Sequence, residues 1–206
     1  MGLDPDYSMG LDPDYTDRQT PLEEDEKEGL LIPTIATRGE LDEFEQQNIE
    51  EALQWVLGKS FKAETILTEK FIRNLHKRMY GNVWSWAGSF RTSDKNLGVD
   101  KWQIPVSVKD LCDDALYWVK NGTYPPDETA IRFKHRIVSI HCFPNGNGRH
   151  SRLMADIMIE NVYKLPLFSW GAGDMVHQSS ARDAYIRAIR MADNGIFMPL
   201  LEFARS

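Results

Sequence analysis

The chain has 206 residues, 42% of them hydrophobic and 11% aromatic, a composition that suits one globular domain with a tail and excludes a fibrous or wholly disordered polymer. Its net charge of −7 is concentrated at one end: ten acidic groups against Arg18 and Lys27 give residues 1–28 a charge of −8, leaving +1 on the rest. A nearly neutral body without a basic stripe argues against a dedicated nucleic-acid binder, no apolar run approaches the ~20 residues of a membrane span, and two cysteines, Cys112 and Cys142, make no disulfide framework.

Residues 1–16 are an imperfect tandem repeat, Met1-Gly2-Leu3-Asp4-Pro5-Asp6-Tyr7-Ser8 and Met9-Gly10-Leu11-Asp12-Pro13-Asp14-Tyr15-Thr16, too short for a solenoid and more like a duplicated start. The acidic run Glu23 to Glu28 extends it, so residues 1–28 are expected to form a disordered tail and residues 29–206 the domain. An N-terminus that is acidic where a signal peptide would be basic and apolar points to a cytoplasmic protein. Leu30-Leu31-Ile32-Pro33 is expected to pin the tail to the domain as an extended segment. Thr37-Arg38-Gly39-Glu40 has capping-box spacing, and Leu41, Phe44, Ile49, Leu53, Val56 and Leu57 carry a helix to Gly58. Thr68 caps a second helix with Phe71, Ile72, Leu75 and Met79, ended by Gly81. Trp84 and Trp86 read as core and turn residues.

From Ser89 to Pro105 the pattern changes, and Phe90, Thr92, Asn96-Leu97-Gly98, Val99, Trp102 and Ile104 read as a short β-hairpin with a polar tip. Ser107 to Lys120 is a helix followed by Asn121-Gly122, and Pro125-Pro126-Asp127 starts the next, which runs to His141. Asn145-Gly146 and Asn147-Gly148 then make a turn, and Leu153, Met154, Ile157, Met158 and Val162 mark one face of the helix after it. Beyond a loop with Trp170-Gly171-Ala172-Gly173-Asp174, Ser179 or Ser180 opens a helix that stops at Asn194-Gly195, before a short last one. The total is about seven helices and one hairpin. Neither βαβ alternation nor GxxxxGK[ST] is present, which excludes Rossmann and P-loop readings.

The chemistry concentrates in His141-Cys142-Phe143-Pro144-Asn145-Gly146-Asn147-Gly148-Arg149-His150-Ser151-Arg152. Unpaired N–H groups and a positive dipole end would face the loop, and Arg149 and Arg152 sit on a first turn where cations are misplaced unless an anion binds nearby. His141 beside such a nest could deprotonate an incoming hydroxyl. Residue by residue this is a phosphate cradle with a general base, or else a helix–loop–helix corner with a capping histidine. Cys142 is either a reactive thiol or a small buried filler.

These residues resemble the signature HPFxx(D/E)GNGRxxR of the Fic/Doc (Fido) family, with Cys142 at the proline position and Asn145 at the acidic one. Leu75 to Arg91, ending in Trp86-Ala87-Gly88-Ser89-Phe90-Arg91, is similar to the family's WAGxxR block, and Tyr185 to Ala188 with Asn194 to Leu200 to its C-terminal helices. Ile35 to Glu45 and the PNGNGRH spelling look most like the bacterial branch called mobile mystery protein B. The resemblance implies an all-α, Fic-type helical bundle whose β-hairpin is a flap, with Leu97, Gly98, Val99 and Trp102 holding a target peptide by strand addition. It implies an adenylyltransferase that moves AMP from ATP, with Mg²⁺, to a Ser, Thr or Tyr hydroxyl of a target protein. His141 would be the base, and Gly146, Asn147, Gly148, Arg149 and Arg152 would hold phosphates. Asn145 would be an uncharged Mg²⁺ ligand, raising the Mg²⁺ requirement.

In inhibited members a helical (S/T)xxxE(G/N) motif sets a glutamate on the second signature arginine. Glu40 is the candidate here, one position displaced, and a plain helix cap is its other reading. An antitoxin or a second copy of the chain could be a partner. A Doc-like phosphotransferase and a silent nucleotide-binding module are the rival functions.

Overall fold

The computed structural model describes residues 27–171 and 178–206, so the acidic repeat, Gly173, Asp174 and the Ser179 and Ser180 side chains lie outside the described residues. Eight α-helices follow one another: α1 Arg38–Leu57, α2 Ala63–Ile66, α3 Glu69–Tyr80, α4 Ile104–Asn121, α5 Pro126–Ile140, α6 Asn147–Asn161, α7 Gln178–Asp193 and α8 Met198–Arg205. The all-α expectation holds, with the four-residue α2 added to the seven. No helix among the described residues is long and apolar enough to cross a membrane.

The helix starts obey the local chemistry. Thr37 and Glu40 close the capping box of α1, Thr68 Oγ accepts from the Phe71 N–H at 3.2 Å, and Pro126 occupies the first turn of α5. Buried side chains from α1, α3, α4, α5, α6, α7 and α8 share one core, with Phe143 fully buried inside it. Two residues of the α1 series depart from expectation: Phe44 and Leu57 are exposed, and Glu45 instead lies in the buried stripe with Ile49, Ala52 and Val56. The segment before α1 is pinned as expected. Leu30 bridges Trp84 antiparallel, and the Leu31 N–H reaches the Val83 carbonyl at 2.8 Å.

The β-hairpin is a correction. Residues 89–100 form bends without a strand, and Lys101–Gln103 is a 3-10 turn leading straight into α4. Asp100 accepts from the Trp102 N–H at 2.8 Å and Pro105 sits in the first turn of α4, so the presumed second strand is a helix start. The two arms pair with a third partner rather than with each other. The Arg91 N–H donates to the Cys142 carbonyl at 2.9 Å and the Val99 N–H to the Ile140 carbonyl at 3.3 Å.

Candidate active site

The end of α5 and the start of α6 meet in a loop that several neighbours hold. His141 caps α5 in the left-handed region at φ 52° and ψ 58°, directing the chain back towards α6. Asn147 staples the loop, its Oδ1 accepting from the Phe143 N–H at 2.9 Å and its Nδ2 donating to the Phe143 carbonyl at 2.8 Å. Its side chain is therefore committed, and a phosphate would meet only its backbone. The Gly146 N–H is also withdrawn from the expected phosphate cradle, because Asn145 Oδ1 takes it at 2.6 Å. Gly146 stands at φ 76°, and a Cβ there would lie 2.5 Å from the Tyr80 ring, so glycine is required twice over. Among the described residues no side-chain cap bonds the start of α6, whose first turn is the anion-facing end of the helix.

A histidine at a helix C-terminus is biased towards its charged form, yet His141 is held below its ordinary value. Burial does most of this, and the charges of Arg91 and Lys95 add to it. The imidazole is neutral near pH 7, as a base must be. Both of those charges belong to the segment between the WAG turn and α4. Arg91 is 3% exposed and donates to the carbonyls of His141 at 2.6 Å, Ser93 at 2.8 Å, and Val99. Gly98 packs where a Cβ would fall 2.6 Å from His141 Cβ, while Leu97 and Trp102 stand exposed.

The glutamate that meets a signature arginine is Glu45. Its Oε2 accepts from Arg149 at 2.6 Å and its Oε1 from Trp84 Nε1 at 2.6 Å. Glu40 is a correction: its carboxylate accepts from the Ala36 N–H at 2.8 Å and the Thr37 N–H at 3.1 Å, which lowers its pKa and spends it on the helix cap. A carboxylate in phase with the buried stripe of α1 was the signal for Glu45. Arg152 is 1% exposed, beside the rings of Tyr185 and Trp170.

His76 on α3 ties three segments together. Its Nδ1 accepts from the Gly88 N–H at 3.0 Å, so its Nε2 carries the proton and donates to the Asn145 carbonyl at 3.0 Å. It thereby joins α3, the WAG turn and the signature loop, with its ring stacked 3.7 Å from Phe143. Cys142 is the buried filler, its thiol pushed up to about 12 by burial.

Among the described residues no group of three or more His, Cys, Asp or Glu could hold a metal. The amide side chains of the loop offer two neutral oxygens, Asn145 Oδ1 and Asn147 Oδ1, engaged by the N–H groups of Gly146 and Phe143. That donor set does not fit a protein-built cage for resident Mg²⁺.

The model of the Fic/DOC family matches residues 66–159, which include the WAG turn and the whole signature. A protein named protein adenylyltransferase Fic from Aedes aegypti is 23% identical over 159 residues, covering 75% of this chain and 30% of that protein. The chain thus spans under a third of the length of such curated relatives. In three dimensions it is similar to a Fic domain containing signaling protein from Bacteroides thetaiotaomicron, with a TM-score of 0.63 at 20% identity over 79% of this chain and 67% of that one. The N-terminal FIC domain of a VirB-translocated effector of a Bartonella species gives a TM-score of 0.65 at 14% identity, covering 84% and 88%. The segment matched by the Fic/DOC family model thus contains the loop between α5 and α6, and the surrounding helices share the fold of those solved Fic domains.

Proposed function

We propose that this domain transfers AMP from ATP to a hydroxyl of a target protein. The observation that carries the reading is a half-buried histidine that ends α5 in the left-handed region, five residues before an α6 N-terminus that has no side-chain cap. His141 takes the hydroxyl proton as the oxygen bonds to the α-phosphorus, the bond from that phosphorus to the bridging oxygen breaks, and pyrophosphate leaves. The N–H groups of Asn147, Gly148 and Arg149 stabilise the charge that develops on the phosphate oxygens. Arg149 is orientated by Glu45, and Arg152 reaches the phosphates from beneath the loop. Exposed Leu97 and Trp102 on the flap are suited to touching the target. The substrate is ATP with its own Mg²⁺, to which Asn145 Oδ1 would add an uncharged oxygen ligand. The PNGNGRH spelling and the Ile35 to Glu45 segment support a reading within the mobile mystery protein B branch.

The test is incubation with ATP labelled at either the α or the γ position, with the His141→Ala variant alongside. Label from the α position should reach protein and fall by ~10²–10⁴ in the variant, the range of a general base. Label from the γ position alone would replace this reading with phosphotransfer.

A further inference from the structure

One buried cluster has no part in the chemistry described so far. Lys134 on α5 is fully buried, and among the described residues no carboxylate bonds it. Its ammonium donates to the Tyr185 hydroxyl on α7 and lies 4.5 Å from the centre of that ring. Arg152 on α6 lies 4.7 Å from the centre of the same ring and keeps Nε and Nη2 without a hydrogen-bond partner among the described residues. Two interior cations therefore crowd one phenol, an arrangement that burial makes costly.

Their effect on each other is visible. Burial and the Arg152 charge lower Lys134 from its ordinary value. Burial pushes Tyr185 up, but Lys134 and Arg152 together bring it below the usual tyrosine range. The acid nearest in sequence, Asp156, lies one turn beyond Arg152. Its carboxylate accepts from Trp170 Nε1 at 3.0 Å and from the Phe168 N–H at 3.2 Å. An anion from outside would supply what the cluster lacks. The free Nε and Nη2 of Arg152 form one edge of the guanidinium fork, which matches two oxygens of a phosphate.

We propose that Lys134 and Tyr185 are positioning and specificity residues for the far end of the nucleotide's polyphosphate. The Tyr185 ring, anchored through its hydroxyl by Lys134, packs against Arg152 and leaves the Nε/Nη2 edge open. Lys134 adds the second positive charge that favours a triphosphate over a monophosphate. This rests on the nucleotide reading of the site but not on which group is transferred.

The test is calorimetric binding of ATP, ADP and AMP, each with Mg²⁺, to the full chain and to Lys134→Met, Lys134→Arg and Tyr185→Phe, with thermal melts as the control for folding. Lys134→Met should weaken ATP by about tenfold or more, the size of a lost charge-assisted bond, while AMP stays within about twofold. Tyr185→Phe, which keeps the ring, should narrow the ATP-to-AMP ratio in the same direction, and Lys134→Arg should restore it. Equal loss for ATP and AMP, or an unchanged ratio in both Lys134→Met and Tyr185→Phe, overturns the proposal. If Lys134→Met does not melt cooperatively, Tyr185→Phe decides alone. A collapsed ratio without any label transfer would keep this subsite and sink the adenylyl-transfer reading, and transfer with an unchanged ratio would do the reverse.

Discussion

The Arg91 guanidinium reaches three backbone carbonyls and, at 3.8 Å, the exposed carboxylate of Asp94. Its planar fork holds the flap against the signature loop, and its charge helps keep His141 neutral. The two effects can be separated. Arg91→Met removes both, so the His141 pKa rises and the acid limb of the pH–rate profile moves to higher pH. Arg91→Lys keeps the charge and loses most of the fork, so activity falls while the limb stays near its wild-type position. Profiles of label transfer for the two variants check this, and an unmoved limb in Arg91→Met would assign the depression of His141 to burial and Lys95. Glu45 is a second residue with a readable cost. Glu45→Ala leaves Arg149 12% exposed without that carboxylate and should destabilise the fold by about 3 kcal/mol, the range for half of a buried pair, measurable by denaturant unfolding.

At the scale of elements, the start of α6 and the end of α4 use the same backbone conformation under different crowding. Gly146 at φ 76° would put a Cβ against Tyr80, whereas Gly122 at φ 58° has nothing within 4 Å of that position. Gly122→Ala should therefore cost only the left-handed strain, ~1 kcal/mol, and Gly146→Ala clearly more, with nucleotide binding lost as the loop shifts. Equal losses in the two melts would mean that Tyr80 yields. Helices of this kind were legible in sequence because caps and period are local: Thr37, Thr68, Gly81, Gly122 and Pro126 mark their ends. The flap was not legible, because its partner is the Ile140–Cys142 backbone about 40 to 50 positions away and strand-like alternation cannot say which backbone is paired. Asp100 and Pro105 were helix-start signals hidden inside that alternation. In the site, His141 and the turn around Gly146 could be placed from the motif. The Glu45–Arg149 pair and the Lys134–Tyr185–Arg152 cluster could not, since they join residues from separate helices.

For the molecule as a whole, two interior histidines join what the chain keeps apart, and they make the fold sensitive to acid. His76 links α3 to the WAG turn and the Asn145 carbonyl, while His150 on α6 reaches the Ile72 carbonyl on α3 at 3.0 Å. Burial lowers both, His76 well below its ordinary value and His150 to about 4. The unfolded chain takes up these protons near pH 6.5, before the folded one does, so the stability they contribute is present above that pH and lost as the pH falls towards 4. Each contributes a slope of roughly 1 kcal/mol per pH unit in that window. His135 and His141 are also lowered and act with the same sign, whereas the depressed carboxylate of Glu40 is felt only at lower pH, beneath its ordinary 4.5. Thermal melts between pH 7.5 and 4.5 should therefore decline from about pH 6.5, well before carboxylates titrate. His150→Gln, which can still donate to the Ile72 carbonyl but cannot titrate, should flatten that decline even if it lowers the plateau. A decline that begins only below pH 4.5, or one that His150→Gln leaves equally steep, would mean that these imidazoles are protonated in the native interior without cost. The neutral tautomer deduced from the Gly88 and Asn145 hydrogen bonds would then be wrong.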